Sequence, residues 1–183
     1  MPMTFSFDTF VSDIRAAVKT PRPDDAVRAV LTEAVADPAS VMQATPTDAE
    51  DEIHLFEDES VSIWQCRFWP DQVMPPHEHR LGVHIAGYAG TEKNIMFRRD
   101  AGALNFDATR LVRPGAVISL GVDDIHAVSA VGPDPSYCLH VYMGPLTQLT
   151  RNLFDWQSGA PVPFTMEQFE QMKRPAGDLP DGW

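Results

Sequence analysis

Apolar side chains near the start of the chain recur every three or four residues, the period of an amphipathic helix. They predict one helix over about residues 5–19 and a second that begins at Pro23 and ends at Asp37 and Pro38. Pro23 followed by Asp24 and Asp25 is a typical helix start. The first part of the chain is therefore expected to be helical.

After a polar stretch at 45–52 the pattern changes to short β-rich runs separated by turn-forming residues. The runs cover residues 61–68, 83–88, 94–97, 104–111, 116–120, 126–131 and 138–143. Regularly spaced short strands without intervening helices indicate an antiparallel sandwich or barrel. The proline-rich C-terminal part, weakly helical around 165–172, is expected to wrap the barrel.

Composition and charge exclude several classes of function. The 183 residues include 14 Lys and Arg against 26 Asp and Glu, a formal net charge of −12. So acidic a chain is repelled by phosphate backbones and anionic lipids, which argues against nucleic-acid and membrane partners. Two cysteines make no disulfide framework, and the sequence contains neither a signal-peptide pattern nor an apolar run of about 20 residues. We expect a soluble, cytoplasmic monomer or homodimer.

Five of the six histidines lie in the β-rich part, and His77 and His79 are two residues apart. On a strand, residues i and i+2 project to the same face, so both imidazoles can reach one ion. A His-x-His pair that enters a strand after a turn at Pro75 and Pro76 indicates a metal site. The alternative is two histidines that line a polar barrel mouth.

A second group of polar residues alternates along the run at 138–143. Cys138, His140 and Tyr142 share one face of the predicted strand, whereas Leu139 and Val141 face the other way. A buried polar side indicates a functional interior, because unpartnered polar groups are costly there. An edge strand with its polar side in water is the alternative that periodicity leaves open.

The histidines also fit the two motifs of the cupin fold, which the chain resembles in spacing. The first motif covers 71–90, with His77 and His79 at its histidine positions, and the second covers 115–130, with His126. Val83 stands where most cupins have a metal-binding glutamate. The resemblance implies an all-β core, a double-stranded β-helix (jelly-roll) barrel, with three neutral imidazoles and no carboxylate at the metal. An ion held in this way keeps its full charge and attracts thiolates, carboxylates and partly reduced oxygen.

The order of the motifs resembles that of the thiol dioxygenases, the cysteine dioxygenase family of cupins. The metal ligands that this resemblance implies are His77, His79 and His126. Its Ser-His-Tyr relay corresponds to Cys138, His140 and Tyr142, with cysteine in the place of serine. The resemblance further implies Fe²⁺ as cofactor, a small thiol and O2 as substrates and a sulfinate as product. Nickel, manganese and zinc are alternative metals.

Residues 75–99 and 119–126 are also similar to a bacterial branch of predicted metal-dependent double-stranded β-helix enzymes. Together the resemblances cover about 55–145. They imply one cupin domain over 1–183, with N-terminal helices at 1–45, the barrel at 53–145 and a C-terminal extension at 146–183 that packs on the barrel.

Cysteine dioxygenases hold the substrate carboxylate with an arginine, and residues 53–56 contain none. Arg67, Arg80 and the pair at 98–99 are the alternatives, although that pair fits a solvated strand end equally well. Cys66 does not match the position of the Cys–Tyr cross-link found in animal members, so no cross-link is expected.

Several residues have plainer interpretations. His84 falls on the strand face opposite to His79, which predicts an outward-facing or packing histidine rather than a ligand. His54 precedes the barrel and is expected at the surface, with a place in the pocket as the alternative. Trp64 and Trp69 are expected in the core. Glu92 lies beyond the first motif and is interpreted as a structural residue or one that supports the ligands.

Two other classes of function remain open. One is a metal-dependent cupin enzyme of another chemistry, such as a lyase, an isomerase or a ring-cleaving dioxygenase. The other is a non-catalytic cupin that binds a metal or a small molecule.

Overall fold

The computed structural model describes residues 5–46 and 50–183, so residues 1–4 and part of the predicted polar stretch lie outside the described residues. Both predicted helices are present, as α1 (Phe7–Ala17) and α2 (Pro23–Ala34). Pro38 does not simply end the second helix but begins α3 (Pro38–Ala44). Proline fits a first helical turn, and the Asp37 side chain caps this one by accepting a hydrogen bond from the Ser40 amide at 3.3 Å. No helix in this described part of the chain is long and apolar enough to cross a membrane.

The β-rich part forms strands at all seven predicted runs and at two further places. The strands are β1 (Glu52–Glu57), β2 (Ser62–Phe68), β3 (Gln72–Glu78), β4 (Val83–Ala89), β5 (Glu92–Asp100), β6 (Ala103–Val112), β7 (Val117–Leu120), β8 (Ile125–Ala130) and β9 (Ser136–Tyr142). β1 and β3 did not stand out as β-rich runs.

The expected turn at Pro75 and Pro76 is wrong, because both prolines lie inside β3. The pairing of β3 with β8 shifts register between Met74 and His77, and a bulge of this kind tolerates residues that cannot donate to the ladder. His77 therefore lies near the end of a strand rather than at its start.

The strands form two facing antiparallel sheets. The first has the order β1-β2-β9-β4-β7, and the second contains β3-β8-β5-β6. From β2 to β9 successive strands change sheets except at the β5–β6 hairpin, in the pattern of two Greek keys, which is a jelly roll. The predicted double-stranded β-helix fold is confirmed, although the two sheets do not close into one continuous hydrogen-bonded barrel.

The helices cover the outer face of the first sheet. Phe10 and Ile14 of α1 and Leu31 of α2 belong to one apolar cluster with Leu139 and Val141 of β9. Because side chains alternate along a strand, the other face of β9 points into the space between the sheets. β9 itself lies between β2 and β4, so the alternative of an edge strand is excluded.

The chain after β9 lies along the second sheet. It forms the 3-10 turn Leu146–Gln148, β10 (Asn152–Phe154), β11 (Pro161–Pro163), α4 (Met166–Met172), β12 (Arg174–Pro175) and the 3-10 turn Ala176–Asp178. Both β10 and β12 pair with β3, and Leu153 of β10 lies opposite His77. The weak helical signal at 165–172 is confirmed as α4.

Candidate metal centre

Three predicted ligands come together between the sheets. His77 of β3 lies directly opposite His126 of β8, and His79 follows the end of β3. All three are buried, and their candidate ligand nitrogens lie within 4.8 Å of one another. His79 and His126 are 47 residues apart in the sequence, yet their Nε2 atoms lie 2.8 Å from each other.

Hydrogen bonds orient two of the three rings. Nδ1 of His77 lies 2.8 Å from the Pro75 carbonyl oxygen, and Nδ1 of His126 lies 2.7 Å from Oδ1 of Asn94. Because both partners accept, each Nδ1 carries the hydrogen and each Nε2 keeps a free lone pair. Nδ1 of His79 is buried without a hydrogen-bond partner among the described residues. The free lone pairs of His77 and His126 are the kind that ligate a metal.

The electrostatics keep the rings neutral. Burial lowers the pKa of His77 to about 3. Burial, followed by the charges of the neighbouring rings, holds the pKa values of His79 and His126 well below their ordinary range. Val83, which the sequence resemblance aligns with the metal-binding glutamate of most cupins, is fully buried in an apolar cluster. Neutral nitrogen donors that converge in this way fit a divalent transition-metal ion.

The polar face of β9 lines the space next to these rings. Nδ1 of His140 lies 3.3 Å from the Tyr142 hydroxyl, and the Tyr142 ring stacks at a tilt against His79 with 4.8 Å between centroids. Nε2 of His140 lies 2.9 Å from Oε2 of Glu92. The sequence analysis interprets Glu92 as a structural residue or one that supports the metal ligands. Tyr142 is thereby placed beside the histidine cluster.

Cys138 lies behind this pair rather than within its hydrogen-bond chain. Its thiol hydrogen-bonds to Glu92, and burial followed by the Glu92 charge raises its pKa well above the ordinary value. The second partner of His140 is thus the Glu92 carboxylate, whereas the relay that the sequence predicts would use the residue at position 138. A direct role for Cys138 in a relay stays a prediction.

A cavity of about 310 Å³ opens onto the cluster. Its walls are largely apolar and aromatic, formed by Trp64, Phe68, Met74, Val128, Leu146, Leu149, Phe164, Met166 and Phe169. The sequence analysis missed two charged residues there, Arg151 after the barrel and Glu52 of β1. Neither belongs to a motif, and only the tertiary fold brings Glu52, at the start of β1, and Arg151, after β9, to the same cavity.

Arg151 and Glu52 are both half-buried at the cavity. The Arg151 guanidinium lies over the Phe164 ring, 3.5 Å from its centroid, and burial lowers its pKa. Burial also raises the pKa of Glu52. Among the described residues, no carboxylate lies within ion-pair distance of Arg151. The cavity therefore contains a cation that the protein does not neutralise directly.

The arginines considered from the sequence lie elsewhere. Arg67 pairs with Asp51, Arg80 with Glu78 and Arg98 with Asp107. None of them lines the cavity, nor does Arg99. The solvated strand end predicted for Arg98 is confirmed by its largely exposed side chain.

The other predictions are divided. His84 is buried on the outer face of β4, where it contacts Ser119 and Asp24, and His54 is exposed and stacks on Trp64. Both agree with the sequence analysis. Trp69 was expected in the core but is 40% exposed, because its indole nitrogen donates to Asp51 at the surface.

Comparison with known proteins finds similarity in structure only. No protein-family model and no curated protein sequence matches the chain. A cupin-family protein with a double-stranded β-helix fold from Methanocaldococcus jannaschii is 14% identical, with a TM-score of 0.45, over 57% of this chain and 90% of that one. Hydroquinone 1,2-dioxygenase from Sphingomonas sp. TTNP3 is 10% identical, with a TM-score of 0.45, over 58% and 73%.

An 11S globulin from Wrightia tinctoria is 11% identical, with a TM-score of 0.43, over 52% of this chain. The matched region spans only 23% of the globulin's length. Similarity at this level concerns the fold alone.

Proposed function

We propose that the protein is a mononuclear non-haem iron oxidoreductase of the thiol dioxygenase type. It adds both atoms of O2 to the sulfur of a small thiol, so that RSH and O2 give the sulfinic acid RSO2H. The observation that carries this proposal is the convergence of three neutral, buried histidines beside Tyr142. All three candidate ligands are imidazoles, and none is a carboxylate. His77, His79 and His126 would hold the iron.

The donor set supports a thiol as ligand. An Fe²⁺ ion on three neutral imidazoles would keep its full charge and open positions, and would bring a thiolate and oxygen together there. Apolar walls such as Met74 and Phe169 lower the polarity around the cluster, which strengthens electrostatic interactions there. The volume of about 310 Å³ suits a ligand of small-metabolite size.

Arg151 supports a thiol that also carries an anionic group. A half-buried guanidinium without a carboxylate partner can bind a carboxylate through charge-assisted, often bidentate, hydrogen bonds. Both Arg151 and the histidine cluster line the same cavity, so a short acidic thiol can reach them together. Arg151 would orient the ligand so that its sulfur faces the cluster.

Tyr142 and His140 complete the proposed machinery. The Tyr142 hydroxyl lies within hydrogen-bond distance of His140, whose ring direction fixes the position of that hydroxyl. A hydroxyl held beside the cluster can hydrogen-bond to a reacting oxygen or to the ligand sulfur. Its contribution is expected mainly in the transition state.

The test is oxygen uptake by the full-length protein loaded anaerobically with Fe²⁺. We expect uptake with acidic thiols and none with their analogues that lack sulfur. In labelled oxygen the product should gain two labelled atoms at sulfur by mass spectrometry. Equal turnover of a thiol-free analogue, or a product with one labelled atom, would contradict the proposal. His126→Ala is the matched inactive variant.

The aromatic walls favour a second candidate. Trp64, Phe68, Phe164 and Phe169 surround the cavity, and such walls together with Arg151 also suit an aromatic acid. A ring-cleaving dioxygenase would consume oxygen with dihydroxybenzoates and not with aliphatic thiols. The same electrode measurement, with both sets of compounds, separates the two activities. Binding of either compound without any uptake would point to a non-catalytic cupin.

A further inference from the structure

An unbroken chain of buried hydrogen bonds joins the histidine cluster to Tyr142. It runs from Nδ1 of His126 to Oδ1 of Asn94 at 2.7 Å, and from Nδ2 of Asn94 to Oε1 of Glu92 at 2.8 Å. It continues from Oε2 of Glu92 to Nε2 of His140 at 2.9 Å and ends between Nδ1 of His140 and the Tyr142 hydroxyl at 3.3 Å. All five residues are buried, and both ends of the chain lie at the cavity.

The direction of each bond follows from Glu92. Burial by itself would raise the pKa of Glu92, but the pairing with His140 and the hydrogen bonds from His140, Asn94 and Cys138 outweigh this and lower it. An ionised carboxylate only accepts, so Asn94 must present its amide hydrogen to Glu92 and its oxygen to His126. His126 must then donate through Nδ1, which frees Nε2 as a metal ligand.

Glu92 also directs the hydrogen bonds on its other side, towards His140 and Tyr142. His140 must donate to Glu92 through Nε2, and when that ring carries a single proton Nδ1 is left to accept a hydrogen bond from the Tyr142 hydroxyl. The lone pairs of the Tyr142 oxygen then remain available to a hydrogen donor in the cavity. One carboxylate therefore determines the hydrogen positions at both ends of the chain.

We propose that Glu92 is a positioning residue that sets the tautomer of the ligand His126 through Asn94 and the hydroxyl direction of Tyr142 through His140. This inference rests on the proposed metal site for its His126 arm only. Glu92 belongs to β5, which lies between β8 and β6 in the second sheet, so it reaches His140 of the facing sheet across the interior. The chain thus also ties the two sheets together at the site.

The atoms of Glu92, Cys138 and His140 could alternatively hold a second metal ion, because they lie within 4.8 Å of one another. However, both carboxylate oxygens of Glu92 are already engaged by Asn94 and His140. Their donors occupy the sites that an ion would need. A hydrogen-bonded junction therefore accounts for the group without a metal.

The first measurement is the tautomer of each ring in the full-length, metal-free protein, by histidine-selective ¹⁵N NMR. We expect the Nε2–H form at His140 and the Nδ1–H form at His126. Glu92→Gln should change the tautomer of His140, of His126 or of both, because a glutamine amide cannot accept from both neighbours. This outcome does not depend on iron, oxygen or the substrate.

The second measurement is the affinity of the same variants for Co²⁺ by chelator competition. Glu92→Gln and Asn94→Leu should each weaken binding by about 10–100-fold, the usual effect of removing a partner of a ligating histidine. Asn94→Leu should leave the His140 tautomer unchanged, and Tyr142→Phe should leave the Co²⁺ affinity unchanged. Glu52→Gln, which neutralises a cavity carboxyl outside the chain, is the control for charge and should not alter either tautomer.

Three results would overturn the inference. They are an Nδ1–H tautomer at His140 of the wild type, a wild-type tautomer pattern in Glu92→Gln, and two Co²⁺ ions per chain of which Glu92→Gln removes one. The wild-type spectrum alone decides the first, so the inference stays testable if Glu92→Gln does not fold. Failure of the dioxygenase assay with the expected tautomers would contradict the proposed function and leave the role of Glu92 intact.

Discussion

His84 and His126 are both buried histidines on jelly-roll strands, and both have a lowered pKa because burial penalises the charged ring. They differ in how their nitrogens are used. On the outer face, both nitrogens of His84 have polar partners, the Ser119 hydroxyl at 2.8 Å and the Asp24 carboxylate at 3.1 Å. On the inner face, Nε2 of His126 meets only another ring nitrogen.

Neither burial nor a lowered pKa is therefore enough to identify a metal ligand. A fully partnered ring stabilises the packing of α2 on the first sheet. The His126 ring is different, because Nδ1 is oriented by an acceptor while Nε2 faces another imidazole nitrogen. Such an Nε2 lone pair is available to coordinate a metal ion. The predictions that follow test this division between the outer and inner histidines.

The largest expected effect is on metal content. His126→Ala removes one of three ligands and should reduce bound metal from about one ion per chain to near zero. His84→Ala should keep full occupancy, because its nitrogens are already engaged. Elemental analysis of the purified variants checks this. Full occupancy of His126→Ala, or loss of metal from His84→Ala, would show that the ligand set is wrong.

Acid should weaken the metal-free protein through both sets of histidines. Below about pH 6.5 the unfolded chain binds protons that the folded rings do not, so stability falls as the pH drops, down to about 3 for His77. Above this window the contribution of these rings is constant. Urea unfolding between pH 7 and pH 5 should show a decreasing free energy of unfolding.

Only the inner set should respond to metal. At 100 times its dissociation constant, Co²⁺ should add about 2.7 kcal/mol to the unfolding free energy at pH 7. His84→Ala should retain this increment on a lower baseline, and His126→Ala should lose it. An equal increment in both variants would place the ion away from the cluster.

The next effect concerns turnover rather than binding. Tyr142→Phe should keep the metal and the fold and lose about 10–100-fold in kcat, because the hydroxyl acts mainly in the transition state. His140→Asn should behave similarly, since Tyr142 then loses the ring that orients it. Steady-state kinetics at matched metal content separates kcat from KM. Wild-type kcat in Tyr142→Phe would remove the inner face of β9 from the chemistry.

Local patterns predicted the residues that share an element, and tertiary contacts supplied the rest. His77 and His79 could be paired because alternation along a strand is a local rule, and the same rule placed Cys138, His140 and Tyr142 on one face. Glu92 and Asn94 could not be assigned, because their partners are 48 and 32 residues away. Nothing in the composition of β5 indicates which residue will face them.

Two local rules also gave wrong expectations where tertiary structure prevails. Pro75 and Pro76 are turn-forming residues, yet the bulge in β3 accommodates them within a strand. Trp69 is a typical core residue, yet its indole pairs with Asp51 at the surface. In both cases a hydrogen-bond donor, rather than hydrophobicity, decides where the residue lies. The prolines lack a backbone N–H and are tolerated at the bulge, and the Trp69 indole N–H takes an acceptor at the surface.

The arginines differ between inside and outside as the histidines do, because Arg151 lines the cavity whereas Arg80 pairs with Glu78 at the surface. Arg151→Gln should raise the KM for an acidic thiol by about tenfold, the value of one lost charge-assisted hydrogen bond, and should not change KM for a thiol without an acid group. Arg80→Gln, which removes an exposed cation paired with Glu78, is the control. Equal losses for charged and uncharged thiols would indicate that Arg151 only supports the fold.

The smallest effect is expected at Cys138, whose position the sequence resemblance assigns to a relay serine. In the structure the thiol contacts Glu92, while His140 is oriented by the carboxylate itself. A serine hydroxyl can donate to the same carboxylate and is a stronger donor than a thiol. Cys138→Ser should therefore keep the His140 tautomer and stay within about threefold of the wild-type kcat, because the hydrogen bonds that fix His140 and Tyr142 persist.

Cys138→Val removes the donor at similar volume and should also leave kcat unchanged if Glu92 alone orients His140. A loss of about tenfold or more in the kcat of Cys138→Val, with wild-type kcat in Cys138→Ser, would contradict this expectation. It would show that the residue at position 138 orients His140 and that Glu92 acts only together with it.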